Sequence, residues 1–186
     1  MVMALHTGPW TAEMVRGLPD DGNRHECVDG VLLVTPAPSW LHQWALDALQ
    51  ERLAPYVRGT GCGVLVRSPA DVRLGIRTLV QPDLFVVPSV EGRRPSGEND
   101  VGRLVLAVEV LSARTAARDR GEKRRLYQAC ADEYWIVDLD AGIVERWRPG
   151  DARPEIADVA LIWQPAGTSQ PLRIDVAEMF REVREG

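Results

Sequence analysis

A glutamate interrupts one of the most apolar segments of the sequence. In residues 104–111, which read Leu-Val-Leu-Ala-Val-Glu-Val-Leu, Glu109 is the one charged side chain. A run that is apolar on both faces predicts a central strand, and alternation places Glu109 on the same face as Val105, Ala107 and Leu111. A carboxylate in such a position is costly unless it pairs with a cation or binds a metal. Glu109 is therefore a candidate functional residue.

A second acid stands in a similar setting. Asp83 follows Gln81 and Pro82 inside residues 78–87, another long apolar run that predicts a buried strand. A single acid of this kind is readily explained as a strand-end carboxylate that caps a neighbouring element or pairs with an arginine. Two acids in the middles of two buried strands favour a functional site over that explanation.

The third candidate is the one lysine of the chain. Lysine and arginine together number 22, and all of them except Lys123 are arginine. Lys123, Leu126, Tyr127 and Cys130 follow helical spacing, so they form the stripe of a predicted helix that faces the sheet. An ammonium differs from a guanidinium in its compact shape and tunable pKa, which gives a reason for one lysine among arginines. Coding bias, or a lysine stem with a solvated head, are the alternatives.

Two carboxylates with a lysine have a known chemical use. Carboxylate oxygens are hard ligands that suit Mg²⁺ or Mn²⁺. Such a metal lowers the pKa of its bound water and offsets charge on a phosphate under attack. An ammonium orients the water or stabilises the developing charge. Glu26, in a predicted early hairpin, could complete the metal shell or act through a water.

The predicted elements that would position these residues alternate between helices and strands. Asp29-Gly30 is a type I′ turn signal between the two strands of the first hairpin. A mixed order of this kind is typical of an α/β or α+β protein with a mixed sheet flanked by helices and additional hairpins. The pattern predicts helices over 11–18, 39–57, 115–131 and 176–183, hairpins over 24–35 and 133–148, and strands over 64–67, 71–74, 78–87, 103–111 and 159–163.

Length and composition limit the class of protein. A chain of 186 residues, 45% hydrophobic and 26% charged, predicts a single globular domain over 1–186, with its core at about 20–150 and a strand and helix of 151–186 packed on it. The net charge of −5 argues against a protein that coats nucleic acid. Three widely spaced cysteines fit reduced cytoplasm. The absence of a long apolar run predicts no membrane span.

A local basic cluster is the candidate surface for contact with a phosphate backbone. Its members are Arg114, Arg118, Arg120, Lys123, Arg124 and Arg125. An ordinary solvated helix face is the alternative for these residues. His42, near the start of the long helix, is a further candidate, although helix phase places it between the apolar stripe and solvent. No nucleophile elbow or phosphate-binding loop is present, which argues against a serine hydrolase and a P-loop enzyme. The substrate-binding candidates are His42, Arg114, Arg118, Arg120 and Arg124.

Several short motifs, taken in order, resemble the Uma2 family of endonucleases in the PD-(D/E)XK, restriction-endonuclease-like superfamily. The resemblance covers nearly the whole chain. It rests on residues 26–30, Gln81-Pro82-Asp83, Glu109-Val110-Leu111-Ser112, then Thr115, Asp119 and Lys123, and residues 133–138.

The resemblance implies a role for each residue. Asp83 would be the central metal ligand, Glu109 the second acid, and Glu26 an acid from the early part of the fold. Leu111 stands where the superfamily usually has its lysine, and Lys123 on the following helix would replace it. The implied metal is Mg²⁺ or Mn²⁺.

The expected function is therefore a metal-dependent endonuclease that hydrolyses phosphodiester bonds, with DNA as the expected nucleic acid. We expect a cytoplasmic homodimer, because cutting a duplex needs two sites. A catalytically silent module that binds nucleic acid or protein on the same fold is the first alternative. A hydrolase of a small phosphorylated substrate is the second.

Overall fold

A six-stranded mixed sheet forms the centre of the protein. The computed structural model describes residues 8–89, 93–97 and 101–185. The strand order is β10-β9-β8-β7-β6-β3, in which β7 and β8 are parallel and the other neighbours antiparallel. Its strands are β3 (Val64–Arg67), β6 (Leu84–Val87), β7 (Leu104–Val110), β8 (Ala131–Asp138), β9 (Ile143–Trp147) and β10 (Glu155–Ala157).

Two smaller sheets and the helices complete the fold. A four-stranded sheet has the order β2-β1-β5-β4, and a two-stranded sheet joins β11 to β12. Their strands are β1 (Arg24–Val28), β2 (Val31–Thr35), β4 (Val72–Gly75), β5 (Thr78–Val80), β11 (Ala160–Trp163) and β12 (Leu172–Asp175). The helices are α1 (Ala12–Arg16), α2 (Trp40–Thr60), α3 (Ala116–Arg118), α4 (Arg124–Cys130) and α5 (Val176–Glu185).

The central sheet is covered on both faces because its inner strands are apolar on both faces. On one face, Leu106, Val108 and Trp135 pack with side chains of α2, α5 and β11. On the other face, Ala107 and Tyr134 pack with side chains of α4 and the four-stranded sheet. This arrangement confirms the predicted class, a mixed sheet flanked by helices with additional hairpins. The expected division into a core at 20–150 and a packed 151–186 segment stays a prediction.

The first hairpin forms as predicted, because its turn residues tolerate positive φ. Asp29 and Gly30 have φ values of 50° and 88°, as a type I′ turn requires. A Cβ added at Gly30 would come within 2.7 Å of Cβ of Pro9, so the position also needs glycine for space.

The prediction of a single strand over residues 78–87 is wrong. The chain leaves the four-stranded sheet after β5 and enters the central sheet at β6, with Gln81, Pro82 and Asp83 between them. Proline has no amide hydrogen to donate to a ladder, which favours a break there. Asp83 therefore lies at the junction of two sheets and not in the middle of a strand.

The predicted helix 115–131 is also interrupted. Residues Asp119–Lys123 form a π-helical turn between α3 and α4. In a regular α-helix, residues four apart are offset by about 40° around the axis, so a stripe drifts. The wider π turn offsets this drift, and Asp119, Lys123 and Tyr127 are all buried, at 2%, 3% and 0% exposure.

Two short strands, β10 and β12, are absent from the predicted elements. β12 alternates apolar and charged residues, and β10 is mostly exposed, so neither carries a strong apolar signal. Within the described part of the chain, no helix is long and apolar enough to cross a membrane.

The two-stranded sheet offers a test of the packing. Leu161 is 1% exposed against the core of α2 and α5, whereas its neighbour Ile162 is 45% exposed. We expect Leu161→Ala to lower the free energy of unfolding by about 2–5 kcal/mol, because it removes buried contacts and leaves a cavity. Ile162→Ala, the matched control, should change it by less than about 0.5 kcal/mol. Urea unfolding measures both, and equal effects would contradict this packing.

Candidate active site

The fold brings all four predicted catalytic residues into one buried cluster. Glu26 lies on β1, Asp83 directly precedes β6, Glu109 lies on β7 and Lys123 lies on the π turn. Their exposures are 0%, 3%, 1% and 3%. Leu84 of β6 pairs with Val108 of β7, so the register places Asp83 beside Glu109.

Two of the three residues expected to share a face of β7 with Glu109 do so. Ala107 and Leu111 pack in the same cluster as the α4 residue Tyr127, as expected. Val105 differs, because it packs against the cluster on the other face of the sheet.

Lys123 points inward and joins two of the acids. Its Nζ lies 2.8 Å from Oε1 of Glu109 and 3.0 Å from Oε2 of Glu26. The hydroxyl of Tyr127 donates to the same Oε1 of Glu109, at 3.1 Å. Burial alone would lower the pKa of Lys123, but the charges of Glu109 and Glu26 outweigh it and hold that pKa above its ordinary value. Lys123 is therefore a permanent cation inside the fold.

Asp83 is held by three donors. The backbone amide of Val110 donates to Oδ2 at 2.8 Å, and Nη1 of Arg24 donates to Oδ1 at 2.7 Å. Nε2 of His42 lies 3.4 Å from Oδ2. Burial would raise the pKa of Asp83, but His42 and Arg24 outweigh it and hold the pKa well below its ordinary value. Asp83 is thus a carboxylate with its position fixed from three directions.

Glu26 connects the hairpin to the other acids. Its Oε1 accepts a hydrogen bond from the amide of Gln81 at 2.8 Å, which ties the hairpin to the junction before Asp83. Its Oε2 is buried and accepts no hydrogen bond. The charges nearest to that oxygen are Nζ of Lys123 and, at 3.7 Å, Nε of Arg24.

The cluster carries more negative than positive charge. Besides Glu26, Asp83 and Glu109, it contains Asp119, which is 2% exposed. Four carboxylates thus face two permanent cations, Lys123 and Arg24. Burial raises the pKa of Glu109 well above its ordinary value, and Asp83 and Asp119 add to this effect against the opposing charge of Lys123. Burial likewise raises the pKa of Asp119.

This donor set fits Mg²⁺ or Mn²⁺ as a pair of carboxylates. Hard oxygens and a surplus of about two negative charges suit one divalent cation, and Mg²⁺ commonly takes one or two carboxylates and keeps several waters. Among the described residues, no group of three or more His, Cys, Asp or Glu side chains converges on one point. Asp83 and Glu109 are the two acids that the strand register places side by side, so they are the pair that could hold such an ion. Glu26 and Glu109 both contact Lys123, so that contact does not separate them.

A cleft of about 980 Å³ opens onto one side of the cluster. Asp83, Arg24, His42 and Arg114 line it, together with the loop before α2. Glu26, Glu109 and Lys123 lie behind that surface and are absent from the lining. Asp83 is therefore the predicted catalytic residue through which the cluster reaches the cleft.

The predicted substrate-binding residues separate into two groups. His42 is buried against Asp83, not placed between the apolar stripe and solvent as helix phase indicated. Arg114 lines the cleft, and Nη1 of Arg118 lies 3.4 Å from the carbonyl of Val34. The cleft lining does not include Arg120, which pairs with Asp138 and Glu145 at 2.6 Å, or Arg124, whose guanidinium lies 4.7 Å from the ring centre of Trp147.

Sequence reasoning missed Arg24, which contacts Asp83, Gln81 and Glu26. With arginine at nearly every basic position, nothing in composition distinguishes this one. The available signal was its position two residues before Glu26 in a predicted strand, which places both side chains on one face.

The central sheet and its flanking helices define the class of protein by its architecture: a restriction-endonuclease-like fold. The Uma2 family, described as "Putative restriction endonuclease", matches residues 12–177. The chain belongs to this family, which confirms the resemblance. No curated protein matches the chain.

A solved structure supports the fold independently. The protein is similar to a crystal structure described as "a putative nuclease belonging to DUF820" from Anabaena variabilis. The TM-score is 0.75 at 18% sequence identity, over 94% of this chain and 99% of that one. At this identity the likeness shows the fold alone.

Lys123 supplies a test of the cluster. We expect Lys123→Met to lower the free energy of unfolding by about 3–5 kcal/mol, because Glu109 and Glu26 lose their shared cation. Adding Glu109→Gln should restore part of the loss, since it removes one of the two stranded charges. Arg125→Met, at an exposed position one residue past Arg124, is the control and should stay within about 0.5 kcal/mol. Urea unfolding of the wild type and the three variants measures these differences in stability, and a Lys123→Met protein as stable as the wild type would contradict the prediction.

Proposed function

We propose that this protein is a metal-dependent endonuclease that hydrolyses phosphodiester bonds of DNA by a PD-(D/E)XK-type mechanism. The observation that carries the proposal is the buried cluster of Asp83, Glu109, Glu26 and Lys123, which opens through Asp83 into the cleft. Three acids and a lysine inside one core are costly for stability, so a chemical use for them is favoured. Membership in the Uma2 family, whose description is "Putative restriction endonuclease", supports the same function.

Asp83 and Glu109 would hold Mg²⁺ or Mn²⁺. When bound, the ion would activate a water and offset charge on the phosphate. The amide of Val110 and the ring of His42 both contact Oδ2 of Asp83 and hold its carboxylate in a fixed orientation. A phosphate in the cleft would lie near Asp83, Arg24 and His42, since these members of the site line it.

Lys123 would act as a hydrogen-bond donor to the reacting groups. Its Nζ already donates to Glu109 and lies beside Glu26, so it can orient a water or stabilise negative charge that develops on the phosphate. Tyr127 and Glu26 would hold the lysine and Glu109 in place. In this scheme Glu26 is a positioning residue, a narrower role than the metal ligand expected from the sequence.

A catalytically silent binding module is the second candidate. Arg24 already neutralises Asp83 with a contact of 2.7 Å, and the net charge of −5 does not favour tight nucleic-acid binding. Homodimerisation, which would present two sites to a duplex, and a cytoplasmic location stay predictions.

Asp83 separates the two candidates. We expect Asp83→Asn to abolish Mn²⁺ binding in calorimetric titration and to lower plasmid nicking at least about 100-fold, because the central ligand loses its charge. Asp132→Asn is the matched control, since Asp132 pairs with Arg103 outside the cluster. Circular dichroism checks the fold of both. Nicking by the Asp83→Asn protein at the wild-type rate would contradict the proposal. Mn²⁺ binding without nicking by the wild type would favour the binding module.

Arg24 gives an independent prediction about the metal. Its Nη1 donates a hydrogen bond to Oδ1 of Asp83, so a divalent cation that binds this oxygen must compete with the arginine. We expect Arg24→Gln to lower the melting temperature without metal and to tighten Mn²⁺ binding about tenfold. Arg52→Gln is the control: its side chain is 20% exposed against 18% for Arg24, and it pairs with Glu182. Weaker Mn²⁺ binding by Arg24→Gln would show that the arginine supports the site and does not compete for it.

A further inference from the structure

β2 lies at the edge of the four-stranded sheet, and its register shows which backbone groups face outward. Leu32 lies opposite Cys27 of β1, and Cys27 pairs on its other side with Leu79 of β5. In an antiparallel ladder, hydrogen-bonded and non-hydrogen-bonded pairs alternate, so Cys27 directs its amide and carbonyl to β5 and not to β2. The amide and carbonyl of Leu32, and two residues further on those of Val34, therefore point away from β1.

These outward groups are largely unpaired. The carbonyl of Val34 accepts a hydrogen bond from Nη1 of Arg118 at 3.4 Å, in an exposed position. Within the described residues, the other three groups, which are the two amides and the carbonyl of Leu32, have no hydrogen-bond partner. Val31 and Val34 are also exposed, at 53% and 40%. An open strand edge of this kind is a template for pairing with another strand.

The other edge strands carry features that oppose such pairing. Charged side chains, bulges and very short length are the usual protection of an edge. β4 has a register shift between Arg73 and Gly75, and β10 has only three residues. β11 is uncharged, but the carbonyl of Ile162 accepts a hydrogen bond from Arg146, which is buried. Charged residues lie on β3, β4, β10 and β12: Arg67, Arg73, Glu155, Arg173 and Asp175.

β2 is complementary to a second copy of itself. It reads Val-Leu-Leu-Val-Thr and carries no charge. In a two-fold pairing each charged group lies near its own copy, so an uncharged strand favours self-pairing between chains that each carry a net charge of −5. A two-fold axis at Leu33 places Leu32 opposite Val34 of the second copy. The outward amides and carbonyls of both strands then meet each other in hydrogen-bonded pairs.

We propose that β2 pairs with β2 of a second copy of this chain, antiparallel about Leu33, and joins the two four-stranded sheets into one. The exposed Val31 lies beside Thr35 of the second copy, and the exposed Val34 lies beside Leu32. Because β1 carries Glu26 next to β2, the pairing fixes the two acid clusters about one two-fold axis. The inference names a surface for self-association and does not depend on the nuclease chemistry.

The size of this edge predicts a dimer that dissociates on dilution. A strand of five residues is about 17 Å long, so it offers much less than the roughly 800 Å² that a stable interface takes from each partner. Backbone hydrogen bonds and the two exposed valines supply the affinity. The monomer and the dimer should therefore both be present in the micromolar range.

Sedimentation velocity over a concentration series tests the pairing. The mean mass of the wild type should rise from the 20.6 kDa of one chain toward twice that value. Val34→Pro removes an outward amide without removing a bond to β1, so it should weaken the dimer about tenfold or more. Val34→Thr is the matched control, since it keeps the amide and the branched shape, and it should dimerise like the wild type. Circular dichroism checks the fold of both variants.

A cysteine pair tests the register even if Val34→Pro fails to fold. Val31 and Thr35 of the second copy form a non-hydrogen-bonded pair in the proposed register, with Cα atoms about 4.5 Å apart, which suits a disulfide. Val31→Cys combined with Thr35→Cys should therefore form a covalent dimer under mild oxidation. Each single variant should form no more than the wild type, which measures any background from the native cysteines.

Three results would overturn the pairing. They are a wild type that stays monomeric throughout the series, a dimer that a folded Val34→Pro protein retains at full strength, and single cysteine variants that cross-link as well as the pair. The outcome is separable from that of the nuclease proposal. A β2-dependent dimer without nicking would leave the pairing standing and reject the nuclease, whereas Asp83-dependent nicking by a monomeric wild type would do the reverse.

Discussion

The ion pair of Lys123 with Glu109 and Glu26 is the interaction that the other features of the site depend on. These three side chains come from the π turn, from β7 and from β1, so one ammonium joins a helix, the central sheet and the four-stranded sheet. Charges this deeply buried are stable only while each has its partner. The position of the first hairpin over the central sheet is thereby tied to the same contacts that assemble the candidate site.

The site has an inner and an outer half. Glu109, Lys123 and Glu26 form the inner half, which lies behind the cleft lining, while Asp83, Arg24 and His42 belong to that lining. The break between β5 and β6 creates this division, because it lets Asp83 leave the sheet ladder and turn its carboxylate to Arg24 and the amide of Val110. If residues 78–87 formed one continuous strand, Asp83 would not lie at the surface of the cleft with Glu109 behind it.

Much of this site was predictable because burial and charge conflict in the sequence. Glu109 and Asp83 interrupt apolar runs, and Lys123 is a lone lysine on an apolar stripe, so each violates a local pattern. Arg24 violates none, since an arginine two residues before a glutamate is ordinary in a chain with this composition. Arg120 and Arg124 look like a phosphate-binding surface in sequence, but their acidic and aromatic partners come from β8 and β9, which sequence spacing does not reveal. The π turn is likewise not predictable, because Asp119, Lys123 and Tyr127 stand four residues apart, a spacing that is also typical of one side of a regular helix.

The surplus negative charge links stability to the proposed chemistry. Replacing the cluster with apolar residues of similar volume would be neutral or favourable for the fold, so the four carboxylates are unexplained by packing alone. Two permanent cations leave the cluster short of positive charge, and burial, followed by the charges of neighbouring acids, raises the pKa values of Glu109 and Asp119. Arg24 meets part of this shortage at the one acid of the cluster that lines the cleft. The proposed cation would meet the rest, so the contact between Arg24 and Asp83 is also the contact that cation binding would have to replace.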